Sequence, residues 1–335
     1  MLTFDRRTVD STGAFLIGEL ERLDATIHEP LVSVTWGRDI DLREDVTIGD
    51  EFSSFTNSTF ASPGGINPTG KAWIGKKTNA ITGVELDIGK TANRLHLWGM
   101  ELSYTIPELE SAARLGRPID QQKFDAIKLK HQMDIDEMVY VGDSSLAVTG
   151  LINSPQVTVT TAPTAGTASP TGNSTSTRWA DKTADEILAD VNAALTGAWA
   201  ASGWAVMPSE LRLPPQQFGQ LVATKVSTAG NLSVIEYLKV NSLSNAINGR
   251  PLNIQPLKWL QGAGTSGTNN PTLATPAPDR ALAYTKDRNR VRYPLVPLQR
   301  TPLENRSIYQ ITTYFGRLGQ VELVYPETVA YLDGI

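Results

Sequence analysis

The sequence predicts an α+β fold set out in consecutive segments. Two alternating stretches near residues 82–102 read as paired strands, a long amphipathic helix follows at about 118–141, and the end of the chain alternates strongly again. With 335 residues the chain can build one large or two moderate cores.

Thr12 is placed to cap a short helix with Phe15, Leu16, Leu20 and Leu23 on its apolar face, ending before Pro30, so the chain opens as an arm. Leu31-Val32-Ser33-Val34-Thr35-Trp36 and Ile40-Asp41-Leu42 then alternate as strands do. Residues 53–70 are rich in Ser, Thr, Asn, Gly and Pro and have little means of burying themselves, so Phe52, Phe55 and Phe60 are expected to dock elsewhere. Val84, Leu86 and Ile88 alternate with acids, Leu95 and Leu97 alternate after Arg94, and Gly89-Lys90-Thr91-Ala92-Asn93 reads as the turn between them. An isolated hairpin is marginal in water. This one is expected to lie against a second copy, with Trp73 and Trp98 as further anchors.

Pro107 opens a short helix stopped by Gly116, and the long helix follows, with Phe124, Ile127, His131, Ile135 and Met138 at steps of three and four. Residues 158–177 are nearly all Thr, Ala, Pro, Gly and Ser, and read as a surface loop or an irregular strand pair. Thr183 with Glu186, and Ser233 with Glu236, are capping boxes. Between them lie a strand over 204–213, interrupted by Pro208, and a helix opened by Pro214-Pro215. A short strand, Leu252-Asn253-Ile254, and a second low-complexity loop at 262–278 precede the β-rich end, whose clearest strands are Ile308-Tyr309-Gln310-Ile311-Thr312 and Gln320-Val321-Glu322-Leu323-Val324.

Little in the chain points to catalysis. There is no cysteine, which excludes disulfides, thiolate metal sites and cysteine nucleophiles and fits a soluble protein made in a reducing cytoplasm. His28, His96 and His131 lie far apart without metal-ligand spacing, and His131 on an apolar helix face reads as packed. Asp134, Asp136 and Glu137 read as a solvated acidic face. No Gly-Lys-Ser/Thr follows Gly316-Arg317-Leu318-Gly319, and no Gly-x-Ser-x-Gly elbow occurs. Neither an enzyme nor a cofactor is expected. No run approaches the ~18 apolar residues of a membrane helix.

Net charge is -5, so no global basic character points to nucleic acid. The charge is unevenly spread. Residues 101–143 hold nine acids and five bases, and residues 278–306 hold seven bases and three acids. Opposite regions of this kind suit head-to-tail pairing of copies, or internal pairing. A second reading places Arg288, Arg290 and Arg292 on an inner surface facing DNA, with weak and sequence-blind contact.

The order of arm, extended loop, long helix, α/β region and β-rich end resembles the Hong Kong 97-like shell fold. Within it, the chain resembles a family of phage major capsid and encapsulating proteins once known only as a domain of unknown function. The resemblance rests on Tyr104-Thr105-Ile106-Pro107-Glu108-Leu109, on Gly142-Asp143 with Gly150-Leu151-Ile152-Asn153-Ser154-Pro155, and on Pro208-Ser209-Glu210-Leu211-Arg212-Leu213-Pro214-Pro215. It continues through Val234-Ile235-Glu236-Tyr237-Leu238, Gly316-Arg317-Leu318-Gly319 and Tyr325-Pro326 to Tyr331-Leu332-Asp333-Gly334-Ile335.

The resemblance implies an N-terminal arm (residues 1–49), an extended loop (50–104) and a spine helix with the start of a peripheral domain (105–155). An axial domain (156–278) and a return to the peripheral domain (279–335) follow. It implies a virion shell assembled in a host bacterial cytoplasm, with pentamers and hexamers of the chain as the units and DNA inside. Portal and scaffold proteins are the expected partners, and a decoration protein is compatible. Some relatives join subunits through a lysine–asparagine bond, and Lys71, Lys76, Lys77 and Lys90 lie in the corresponding region, where unpaired surface lysines are the commoner meaning. The start at Met1, without a long charged helical preface, argues against a fused scaffolding segment. A nanocompartment shell with an enzyme cargo is an alternative, and a solitary α/β enzyme or binding protein is an alternative of another class.

Overall fold

The three-and-four spacing of the long helix has a buried face to match it. The computed structural model describes residues 32–61, 85–115, 119–167, 169–226 and 232–335. The arm helix expected near residues 12–29, His28, Lys71, Trp73, Lys76 and Lys77 lie outside the described residues. Contacts divide the chain at Ser33, and everything from Val34 to Ile335 forms one unit.

Its elements begin with α1 (Trp36–Asp39) and strands β1 (Asp41–Arg43), β2 (Phe52–Ala61), β3 (Glu85–Arg94) and β4 (His96–Thr105). Helices α2 (Ile106–Leu115) and α3 (Ile119–Tyr140) follow, then β5 (Gly142–Asp143), β6 (Val148–Thr149) and β7 (Thr158–Thr161). The middle of the chain supplies α4 (Ala184–Ala201), β8 (Glu210–Leu213), α5 (Pro215–Ala223), α6 (Val234–Asn241), α7 (Leu243–Asn248) and β9 (Asn253–Pro256). The end supplies β10 (Arg280–Tyr284), β11 (Val291–Arg300), β12 (Glu304–Arg306), β13 (Tyr309–Leu318), β14 (Glu322–Leu323) and β15 (Ala330–Asp333).

The 22 residues of α3 extend about 33 Å. Ile127, His131, Ile135 and Met138 are buried on it, and Phe124 meets the Tyr314 ring at 5.2 Å. The helix stops in a tight β5–β6 hairpin. Gly142 has φ +76°, and a Cβ on Gly150 would lie 2.1 Å from the Tyr140 carbonyl oxygen. Asn153 closes the end: its amide donates to the Val141 carbonyl (2.7 Å) and its Oδ1 accepts from the Gly150 N–H (2.7 Å).

Two sheets divide the unit. β7, β15, β10, β8 and β9 form one in that order, with β7–β15 and β8–β9 parallel and the other pairs antiparallel. The other runs β1, β11, β13 and β12, with β14 added to β11 and β4 added to β13 along all ten of its residues. Helices α4 to α6 pack one core against the first sheet through Ile187, Val191, Leu195, Leu221, Val234 and Leu238. The second core joins Ile135 and Val139 of α3 to Val291, Tyr293 and Leu323. Strand alternation in β10 serves both: Ala281 and Ala283 enter the first core, Leu282 and Tyr284 the second. Residues 279–335 thus supply strands to both sheets.

Four expectations need correction. No strand covers Val34 and Thr35. The chain instead starts α1 at Trp36, because the Asp136 carboxylate accepts the N–H groups of Thr35 (2.8 Å) and Trp36 (3.0 Å). The expected turn at Gly89–Asn93 is the middle of β3, which pairs antiparallel with β2 from Phe52↔Arg94 to Ala61↔Glu85. The partner of β4 is β13, not the stretch before Arg94. The strand expected over 204–213 is only Glu210–Leu213, because Trp204 takes φ +64° and Pro208 has no N–H to give a ladder.

Candidate assembly interface

The β2–β3 ribbon is fastened at its base and projects beyond it. At the base, the buried Glu322 carboxylate accepts from Arg292 Nε (2.6 Å), from Arg43 Nη1 (3.3 Å) and from the Ser53 hydroxyl. Arg43 also donates to the Ser54 carbonyl at 2.9 Å. Farther out, Thr56, Asn57, Ser58 and the side chains of 86–90 are all exposed, and the ribbon joins neither sheet. Leu86 and Ile88 share one face and are 63% and 62% exposed. Phe52 is exposed on the same face, and Phe60 pairs with Leu86 in the register. Phe55 lines a small hollow beside Val321 and Leu323.

Trp98 has a different situation. Its Nε1 donates to Asp134 (2.8 Å), its ring meets His131 edge-on at 4.7 Å, and it packs against two cores. It ties β4 to α3 within the subunit. Burial holds the His131 imidazole below its ordinary pKa, against the pull of the Asp134 charge.

The acidic group on α3 also separates. Asp136 is not solvated: it is 1% exposed and, besides α1, accepts from Trp259 Nε1 at 2.7 Å. Asp134 is half-buried and paired with Lys130, and only Glu137 is exposed. Asp134 and Glu137 line a cleft of about 820 Å³ between β4, the end of α3 and the β5–β6 hairpin, floored by Trp98, Met138 and Val148.

Much of the positive segment is matched inside the chain. Arg290 pairs with Asp287 (2.9 Å), Arg292 with Glu322, and Arg280 with Asp333 (2.6 Å); Arg288 is exposed. The Arg280–Asp333 pair explains the near-terminal Asp-Gly-Ile. Asp333 is fully buried, Ile335 is 1% exposed, and Gly334 (φ +83°) lies where a Cβ would be 2.6 Å from Thr177 Oγ1.

A further buried cluster joins the first sheet to α1 and α3, and no local sequence pattern marks it. Asp39 at the end of α1 accepts from Arg212 Nε on β8 (2.9 Å), Arg38 Nε (2.7 Å) and Tyr140 Oη on α3 (2.5 Å). Tyr284 Oη donates to the Asp39 carbonyl at 2.7 Å. Burial pushes the Asp39 carboxyl up, but the Arg38 bond, the Arg212 charge and the Tyr140 bond together bring it below the ordinary value. Tyr140 and Arg212 stand 101 and 173 residues away, so no local pattern marks them.

Among the described residues no group of three or more His, Asp or Glu is placed to hold a metal, and no helix is long and apolar enough to cross a membrane. Two packed sheets, one long helix and a projecting ribbon with apolar side chains describe a structural subunit whose surfaces are its working parts. The chain belongs to the major capsid protein family, whose family model matches residues 70–335. Its fold is that of the Hong Kong 97-like phage capsid proteins. The chain is similar to the capsid of Myoviridae phage XM1, at 14% identity over 95% of this chain and 98% of that one, with a TM-score of 0.73. It is also similar to a Microbacterium phage Oxtober96 structure (10% identity, 95% and 97% covered, TM-score 0.58) and to the capsid of a native GTA particle (12%, 99% and 99%, 0.57). No curated protein matches the chain in sequence. The chain is a major capsid protein, of a structural family and not an enzyme family.

Proposed function

We propose that copies of the chain form pentamers and hexamers that close an icosahedral shell around packaged double-stranded DNA in the host bacterial cytoplasm. Portal and scaffold proteins are the further partners, and the exposed loops are compatible with a decoration protein. In this reading residues 1–49 are the arm, 50–104 the extended loop, 105–155 the spine and the start of the peripheral domain, 156–278 the axial domain, and 279–335 the return to the peripheral domain. Phe52, Phe55, Phe60 and Trp73 are contacts between copies. Trp98 acts by holding β4 in place beneath them. Arg288 is the inner-surface cation of the three arginines, while Arg290 and Arg292 set the fold around it.

The observation that carries this reading is the ribbon, which leaves Leu86 and Ile88 more than half exposed. Covering them on a second copy is favourable by roughly 1–2 kcal/mol each, given what remains exposed. One such contact is weak, and repetition over a closed shell makes it durable. Electron microscopy of the purified chain tests the proposal: closed particles are expected, and a chain that stays monomeric at high concentration refutes it.

A further inference from the structure

Among the described residues, three ion pairs have both side chains at most 4% exposed: Arg212–Asp39, Arg280–Asp333 and Lys182–Asp190. Arginine suits such a place, because its guanidinium keeps its proton and forks onto a carboxylate. Lysine is the unusual choice, because its amine gives up a proton readily where water is excluded and is then a nucleophile. Local structure brings it there. A single 3₁₀ turn, Trp179–Asp181, precedes the α4 cap Thr183, and Lys182 between them reaches Asp190 in the second turn of the helix.

The pair has what an amide bond between the two side chains requires. Lys182 Nζ donates to Asp190 Oδ2, so the amine already lies beside the carboxyl carbon. Trp179, fully buried, donates its Nε1 to the same oxygen at 3.1 Å. That bond is aimed at an atom on which negative charge gathers when an amine adds to the carboxyl. Burial holds the Asp190 carboxyl above its ordinary pKa, against the pull of Lys182 and Trp179, and the Glu186 charge one helical turn earlier adds to the rise. Glu186 itself is held below its ordinary value by the N–H groups of Thr183 (2.8 Å) and Gly166 (2.8 Å), so it keeps that charge. A protonated acid facing an unprotonated amine is the reactive arrangement, whereas carboxylate and ammonium only attract. Condensation also removes two charges whose burial is costly, and leaves a neutral amide to which Trp179 still donates.

We infer that Lys182 and Asp190 condense into an amide bond within the chain, a covalent brace across the start of α4. A proton passes from Nζ to the carboxyl along their hydrogen bond, and the freed amine adds to Cγ while Trp179 holds Oδ2. The Nζ–Cγ bond forms, the Cγ–Oδ1 bond breaks, and Oδ1 leaves as water with two of the ammonium protons. The step needs no oxidant, metal or second chain, so it stands apart from the shell reading. Mass spectrometry of the purified full chain, denatured and digested with trypsin, tests it. The bond blocks the cut after Lys182, so residues 179–212 are expected as one peptide, lighter than its sequence by one water. Fragmentation of that peptide is expected to leave Lys182 and Asp190 joined. Lys182→Arg is expected to be cut at that position and to give both pieces at full mass. Pieces 179–182 and 183–212 at full mass from the unaltered chain mean an ion pair only, and overturn the proposal. A water lost from 183–212 after a normal cut at Lys182 is a cyclic imide inside that piece, and overturns it as well. Both readings come from the unaltered chain and do not depend on how a variant folds.

Discussion

Replacing Asp39 with alanine should weaken the joint between the first sheet and helices α1 and α3 more than any other single change in that cluster. The carboxylate holds Arg212, whose side chain is 1% exposed, and Arg38, whose side chain is 35% exposed. Without it Arg38 can turn to water, but Arg212 cannot. Removing one partner of a buried ion pair costs about 3–5 kcal/mol. Arg212 keeps Glu210 at 2.7 Å and the Asn253 carbonyl at 3.1 Å, which places the expected loss near the lower end, about 3 kcal/mol. That is a large part of the roughly 5–15 kcal/mol that stabilises a typical fold. Asp39→Asn keeps the shape and one acceptor and should cost less. The assay is urea unfolding of the unassembled chain at pH 7, with amide exchange followed in 35–40 and 210–213, where protection should fall together. A loss below about 1 kcal/mol for Asp39→Ala, or one no larger than for Arg38→Ala, refutes the reasoning.

Trp98→Ala removes a hydrogen bond and a half-buried ring that touches two cores, so unassembled chain should lose roughly 2–4 kcal/mol, somewhat under the full cost of a buried tryptophan. Thermal melts that match the unaltered chain would mean that Trp98 serves only contacts between copies. Gly150→Ala forces a Cβ onto the Tyr140 carbonyl and should cost about 1–3 kcal/mol or more, read as lost soluble chain or a lower unfolding midpoint. Acid should destabilise the chain through His131 and, more weakly, the partly exposed His96, both held below the ordinary 6.5 chiefly by burial. The unfolded chain then binds more protons, so stability is flat above about pH 7 and falls as pH drops through 6.5, by at most about 1.36 kcal/mol per pH unit for each histidine. His131→Gln should flatten that fall, and an unchanged profile would contradict it.

Local pattern was legible wherever one face of an element meets a core. The apolar spacing of α3 and the capping box of Thr183 with Glu186 are both present, the latter with its two reciprocal bonds. The ribbon escapes that pattern for the opposite reason. Neither of its faces meets a core, so Gly89 to Asn93 needs no alternation, and only pairing with β2 makes it a strand. Acids on a helix usually face water, and the burial of Asp136 depends on Thr35 and Trp259, 101 and 123 residues distant. Glu322 and Asp39 share that origin: each becomes a hub only once folding brings a distant arginine to it, Arg43 and Arg292 to Glu322 and Arg212 to Asp39.

If the exposed ribbon face joins copies and adds nothing to the single chain, one sedimentation experiment will show both. Leu86→Ser/Ile88→Ser should unfold within about 0.5 kcal/mol of the unaltered chain yet sediment as small species at concentrations where the unaltered chain forms particles. A double variant that assembles as readily as the unaltered chain, or an unaltered chain that never leaves the monomer, contradicts the account.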